Sequence, residues 1–331
     1  MDYEELLRSD DKTLMNLIEE ARIISQRGFG KRIQFYTPSF ISYKTNSRNP
    51  SSPAFPSISI TGSSCSLKCK HCEGIVLNGM LSATSPERLM QLGKNLKRQG
   101  AKGCLISGGC LPNGSIPLEP FIEAIGQMKK DLNLTILVHT GIVSMDTALN
   151  LKKAGIDAAL IDVIGSDETI REIFSSDATV EDYSESLHAL RHAEIPTVPH
   201  VLIGLHYGEL KGEIAALKMI SNHNPSAVIL IAFMPIHHTT MENVKPPSPS
   251  TIAKILVASR NMMPNTPMAL GCMRPKGAHR AKTDVLAVKS GVNAIAFPAK
   301  EAISCAESLK YQISFSNYCC SQIFSDHQRF G

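Results

Sequence analysis

CLISGGCLPNGSIPLEPFIEAIGQMKKDLNLTILVHTGIVSMDTALNLKKAGIDAALIDVI, residues 104–164, decides the fold. Three short apolar, β-branched runs stand in it: Cys104–Ser107, Thr135–His139 and Ala159–Ile164. Between them lie two charged amphipathic segments, Leu118–Leu132 and Ser144–Ala154. Such runs read as strands buried on both faces, and such segments as helices that cover them. A strand, a crossover helix and a parallel strand form a right-handed βαβ unit. The same rhythm extends both ways. Further strand runs are Ile58–Thr61, Thr197–Ile203, Ala227–Phe233, Met268–Gly271 and Ala294–Phe297. Further helical segments are Pro86–Gln99, Asp167–Ile173, Val180–Ala193, Tyr207–Asn222, Ser250–Met262 and Ala281–Val288. Eight strand–helix repeats match a (β/α)8 barrel, with a doubly wound open sheet as the competing α/β arrangement. Residues 3–27 read as a helix with Leu6, Leu7, Leu14, Leu17, Ile18, Ala21 and Ile24 on one face, and the Pro- and Ser-rich stretch Thr37–Ser57 as a wrapping loop. The expected organisation is an N-terminal extension over 1–56, the barrel over 57–304, and a cysteine-bearing tail over 305–331.

Composition narrows the function. The chain has 331 residues, 43% of them hydrophobic, which is enough for a large core. The formal net charge of +4 is spread along the chain, with no basic block to bind nucleic acid or a membrane surface. Trp is absent and Phe plus Tyr are few, which argues against stacking platforms for single strands. The longest apolar stretch, Ala227 to Met234, is far too short to span a bilayer. The opening MDYEELLRSDD is acidic and has no apolar core, so no signal peptide is expected, and the expected location is the cytoplasm. In that reducing compartment the nine cysteines read as metal ligands or reactive groups rather than disulfides.

The loop after the first predicted strand reads SSCSLKCKHCEG, giving Cys65-x3-Cys69-x2-Cys72. In a parallel barrel this loop lies at the C-terminal face, where barrel enzymes place their sites. Soft thiolates select iron–sulfur clusters, zinc or copper(I). A four-iron cubane held by three cysteines keeps one iron open to a small-molecule chelator. The bland alternative is a structural zinc knot with His71 as fourth ligand. That reading lacks the second ligand pair which zinc sites usually supply farther along the chain.

This spacing after the first strand resembles the signature of the radical S-adenosylmethionine (SAM) superfamily, whose members fold as TIM-type barrels. The resemblance implies a [4Fe–4S] cluster on Cys65, Cys69 and Cys72, with SAM chelating the open iron. It further implies one-electron cleavage of SAM to a 5′-deoxyadenosyl radical that abstracts hydrogen, chemistry that side chains alone do not supply. Two more segments fit. Ser107-Gly108-Gly109-Cys110 resembles the Gly-Gly-Glu turn that approaches the SAM ammonium, with Cys110 standing where the acid usually does. Val201-Leu202-Ile203-Gly204-Leu205 resembles the segment that packs on adenine, and Asp162 is a candidate for SAM ribose or substrate.

Six cysteines remain. Cys104 lies inside a strand and reads as a small core residue. Cys110, Cys272, Cys319 and Cys320 are candidates for a second, auxiliary cluster, against the plain reading of buried thiols and a frayed tail. His139 and His200 lie near positions that hold the auxiliary [2Fe–2S] cluster in biotin synthase, and read first as substrate or core histidines. His237 and His238 read as loop or substrate contacts. The stretches RGFGKRIQFYTPSF, SITGSSCSLKCKHCEG, CLISGGC, PTVPHVLIGLHYGE and LGCMRPKG together resemble the archaeal biotin-synthase homologues, a group similar to the two-protein archaeal lipoyl synthase. That resemblance implies sulfur insertion into a protein-bound octanoyl chain, with an auxiliary [4Fe–4S] cluster as sulfur source. The implied partners are an octanoylated carrier protein or peptide, a second radical SAM subunit and a reductant such as ferredoxin. Rival readings are another radical SAM reaction (mutase, methyltransferase or C–C bond formation) and, from another class, a non-catalytic Fe–S or zinc scaffold.

Overall fold

The computed structural model describes residues 1–37 and 54–326; most of the expected wrapping loop, and the last five residues of the tail, lie outside the described residues. Eleven parallel strands form one curled sheet. They are β1 (Arg32–Tyr36), β2 (Ser57–Ser59), β3 (Leu81–Ser82), β4 (Gly103–Ser107), β5 (Thr135–His139), β6 (Ala158–Asp162), β7 (Thr197–Ile203), β8 (Val228–Ala232), β9 (Met268–Leu270), β10 (Ala294–Ala296) and β11 (Gln312–Ser316). Their order is β11-β1-β10-β9-β8-β7-β6-β5-β4-β2-β3. All eight predicted strands are present and consecutive in the sheet, and helices cover its outer side, so the fold is an α/β barrel of the (β/α) type, open at one seam. In a closed eight-strand barrel β10 would pair with β2. Here its free edge takes β1 instead, with Gln34 opposite Ala294, and β11 pairs outside β1. Arg32–Tyr36 and Gln312–Ser316 thereby tie part of each expected extension into the sheet.

The side chains explain the two layers. Along β5, Ile136 and Val138 face the helices while Leu137 faces the lumen, the period-2 alternation of a strand. The outer layer packs against helices that begin at serine caps: Ser85 before Pro86–Arg98, Ser144 before Met145–Ala154, and Ser248 before Pro249–Met262. The lumen is lined by Leu137, Leu160, Val198, Ile229, Ala269 and Ala294, and the segment Cys320–Asp326 packs into it. Cys320 and Ile323 of that segment are buried against the lumen strands. Asp326 accepts a hydrogen bond from the Tyr36 hydroxyl at 2.8 Å and closes the segment against β1.

The N-terminal helix differs from expectation. Helices Tyr3–Arg8 and Asp11–Phe29 replace one continuous helix, because the Asp10 side chain accepts from Thr13 N and starts a second helix. The segment expected to be helical from Tyr207 begins only at Glu213, since Gly208 and Gly212 both take positive φ. Among the described residues no helix is long and apolar enough to cross a membrane.

Candidate active site

The cysteine loop leaves β2 and lies across the C-terminal mouth of the half-barrel. Polar contacts fix it at several points. Thr61 Oγ1 donates to the Ser64 carbonyl at 2.8 Å and accepts from Gly109 N at 2.7 Å. Ser66 N donates to the Cys110 carbonyl at 2.9 Å, and Lys70 N to the Ile173 carbonyl at 2.9 Å. Lys70 Nζ reaches the Tyr207 hydroxyl at 2.8 Å. Glu73 Oε1 accepts from both Thr240 N and Thr240 Oγ1 at 2.6 Å, which ties the loop to the segment after β8. Lys68 and Glu73 take left-handed φ of 44°, so the chain folds tightly around Cys69 and Cys72.

This fold gathers the three thiols. Cys69 is buried, while Cys65 and Cys72 are half-buried. Cys69 and Cys72 share a hydrogen bond that favours thiolate on Cys72, which His71 also supports. That bond, together with burial, pushes the Cys69 thiol up. The His71 ring packs on Phe174 at 5.5 Å and leaves its buried Nδ1 without a hydrogen-bond partner. A cavity of about 450 Å³ borders the loop, lined among others by Thr61, Ser64, Cys65, Gly109 and Cys110. Among the described residues, no three His, Cys, Asp or Glu side chains lie at the spacing of ligands to one metal ion. Three thiols on one loop beside a cavity are the soft donors that an iron–sulfur cluster takes.

The glycines serve the chain itself. A Cβ on Gly109 would collide with the Ser64 carbonyl oxygen and the Cys65 backbone, so Gly109 lets the β4 loop touch the cysteine loop. Gly108 is less tight, its nearest neighbour being the Thr61 side chain at 3.1 Å from an added Cβ. Gly204 has φ of 73°, and a Cβ there would lie 2.6 Å from Pro247. Its requirement for glycine thus comes from the segment after β8. Ser107 is buried at the end of β4, opposite Ser59.

Below the loop, Asp162 and His139 meet at 3.5 Å at the ends of β6 and β5. Asp162 lies deep in the molecule, yet its side chain keeps 40% exposure, so it faces lumen space rather than packed protein. Burial alone would raise its carboxyl, but the His139 charge and hydrogen bond, with His200 and His71 behind, hold it at about 2. His139 is depressed by burial and raised further by Asp162, for a net upward shift. His200 is the strand partner of Asp162, whose charge raises its value, but burial is the larger effect. Burial drops it to about 4, and its Nε2 faces Ser321 Oγ of the C-terminal segment at 3.4 Å.

The four cysteines read as one auxiliary set divide. Cys319 and Cys320 are hydrogen-bonded neighbours that interact electrostatically with Cys272, and Cys319 also with His139. Cys110 interacts instead with Cys65, Asp162 and Cys72. The turn at Gly109 presses it against the cysteine loop, which is why it does not join the others. Cys104 is fully buried in β4, as a core residue. His237 stands 81% exposed on the surface, bonded to Glu242 at 2.8 Å.

Three features escaped the sequence reading. Arg274 and Asp284 form a fully buried bidentate pair at 2.7 and 2.8 Å, and Arg274 also donates to the Gly271 carbonyl, so the pair fixes the loop that carries Cys272. Glu213 is buried, accepts from Gly204 N at 2.8 Å, and leaves Oε2 unpartnered. Glu73 clamps Thr240. Only the first carried a sequence signal, an arginine two residues after a barrel-mouth cysteine.

The radical SAM superfamily model matches residues 59–218. Biotin synthase of Prochlorococcus marinus (strain MIT 9515) is 24% identical over 300 residues, covering 88% of this chain and 82% of that protein. Biotin synthase of Vesicomyosocius okutanii is 28% identical over 163 residues, 47% of this chain and 48% of that protein. Among solved structures, methylornithine synthase superposes with TM-score 0.64 at 17% identity, covering 95% of this chain and 93% of its own. The FeFe-hydrogenase maturase from Carboxydothermus hydrogenoformans gives TM-score 0.66 at 16% identity, over 98% and 78%. At these identities the solved structures establish the fold.

Proposed function

We propose that this chain is a radical SAM enzyme, as the match of that superfamily's model to residues 59–218 supports, and that it inserts sulfur into an unactivated C–H bond. Cys65, Cys69 and Cys72 would hold the [4Fe–4S] cluster, and Ser107, Gly108, Gly109, Asp162 and Gly204 would border SAM. When bound, cluster and SAM supply the one-electron cleavage that starts hydrogen abstraction. The chain's own part is positional. The Thr61, Ser66, Lys70 and Glu73 contacts hold the cysteine loop over the mouth. Below it, Cys320 and Ile323 of the C-terminal segment pack against the lumen strands.

The observation that carries sulfur insertion is that Cys272, Cys319 and Cys320 all pack on the lumen cluster below the mouth, apart from the first three cysteines. A mutase has no use for a second thiol group there, whereas an auxiliary cluster would need one. The biotin synthase relatives point to the same reaction class. The finer reading takes a protein-bound octanoyl chain as substrate, on a carrier protein or peptide, with a second radical SAM subunit for the other sulfur and a ferredoxin-type reductant.

The test is anaerobic reconstitution followed by incubation with SAM, dithionite and an octanoylated carrier peptide. Two four-iron clusters give about eight irons per chain. The expected result is that iron content, a peptide product heavier by one sulfur, and loss of cluster sulfide during turnover. About four irons and no sulfide loss would leave a radical SAM enzyme that does not insert sulfur.

A further inference from the structure

The cavity beside the cysteine loop is lined by Cys65 and by one thiol from outside the loop, Cys110. The sequence groups Cys110 with the lumen cysteines, and the fold sends it to the loop. Gly109 packs against Ser64 and Cys65 with no room for a Cβ, which fixes the next residue one step from the loop. The Cys110 carbonyl accepts from Ser66 N at 2.9 Å and lies 3.9 Å from Cys65 Sγ. Cys65 and Cys110 line the same cavity of about 450 Å³. We propose that Cys110 is a fourth, displaceable thiolate ligand to the cluster carried by Cys65, Cys69 and Cys72. The inference rests on the cluster reading above.

The chemistry follows from ligand count. A cubane offers one site per iron, and soft thiolates suit all four. Three cysteines come from one loop whose position is set by the contacts described. The fourth comes from the turn after β4, a strand paired on both sides. A cluster so capped has no open iron until a chelating ligand arrives. The iron–sulfur bond to Cys110 then breaks as amine and carboxylate donors bind that iron. The released thiolate takes a proton from water, and no electron moves. The cap raises the apparent dissociation constant of SAM in inverse proportion to the fraction of protein that is uncapped.

The test compares reconstituted wild type with Cys110→Ala and Cys110→Ser, without SAM. Each is oxidised with stoichiometric ferricyanide, and the [3Fe–4S] signal is measured by electron paramagnetic resonance. An iron without a cysteine ligand is the one lost. Any second cluster contributes equally to all three proteins. The expected result is a several-fold larger signal in both variants than in wild type, together with several-fold tighter SAM binding by Cys110→Ala in equilibrium dialysis. Equal signals and equal SAM affinity in wild type and variants would overturn the proposal while leaving the cluster reading intact. Failure of the wild type to hold iron on Cys65, Cys69 and Cys72 would overturn both.

Discussion

Replacing Asp284 by Ala leaves the Arg274 guanidinium buried without its counter-charge. Both side chains have no solvent exposure. Arg274 would keep its bonds to the Gly271 and Phe297 carbonyls but lose both carboxylate contacts, and Ala299 N would lose its acceptor. Removing one partner of such a pair costs about 3–5 kcal/mol, mostly the penalty of the stranded charge. Unfolding entropy near the midpoint is about 2.1 cal/mol/K per residue. For 331 residues that makes about 0.7 kcal/mol per kelvin, so the melting temperature should fall by about 4–7 °C. Differential scanning calorimetry on the iron-free protein reads this directly. The double variant Arg274→Met with Asp284→Leu removes both charges and should regain most of the loss. Melting of Asp284→Ala within a degree of wild type would refute the reasoning, as would a double variant no better than the single one.

Other predictions concern the mouth and its supports. Burial raises the Glu213 carboxyl to about 7, a shift partly offset by the bond from Gly204 N. Between the ordinary carboxylate value and pH 7 the folded chain thus keeps a proton that the unfolded chain has lost, and stability falls as pH rises through that window. Glu213→Gln removes this loss, so its urea midpoint relative to wild type should climb from pH 5 to pH 8; a constant difference would contradict it. Gly109→Ala forces Ser64 and Cys65 away from β4, and reconstitution should then load markedly less iron, whereas normal iron content would show that the loop moves freely. Ile323→Ala in the lumen segment should destabilise the protein by about 2–5 kcal/mol in denaturant titration; a change under 0.5 kcal/mol would mean that the segment does not pack in the lumen in solution.

The barrel was legible because each buried parallel strand is an uninterrupted apolar run between helical segments, as in Ala158–Asp162 and Val228–Ala232. The strands that went unread show why the rest was not. Arg32–Tyr36 sits between a helix and a Pro-rich stretch, with no crossover helix to announce it. Gln312–Ser316 carries only two apolar residues and lies on the sheet edge, with Phe315 56% exposed. Leu81–Ser82 is two residues long. In the site, Cys65, Cys69 and Cys72 were readable because one loop carries all three at fixed spacing. The division of the other cysteines was not. It depends on Gly109 pressing against Ser64 and on the segment Cys320–Asp326 packing into the lumen, both long-range contacts. The Glu73 clamp on Thr240 spans 167 residues and left no local trace.

The central claim is that Cys65, Cys69 and Cys72 together support reductive cleavage of SAM. The most direct measurement is 5′-deoxyadenosine formation under dithionite by anaerobically reconstituted wild type and Cys69→Ala, quantified by liquid chromatography and mass spectrometry. The expected result is steady formation by wild type and none above background in the variant. Equal formation by the two proteins, or none by an iron-loaded wild type, would contradict the claim.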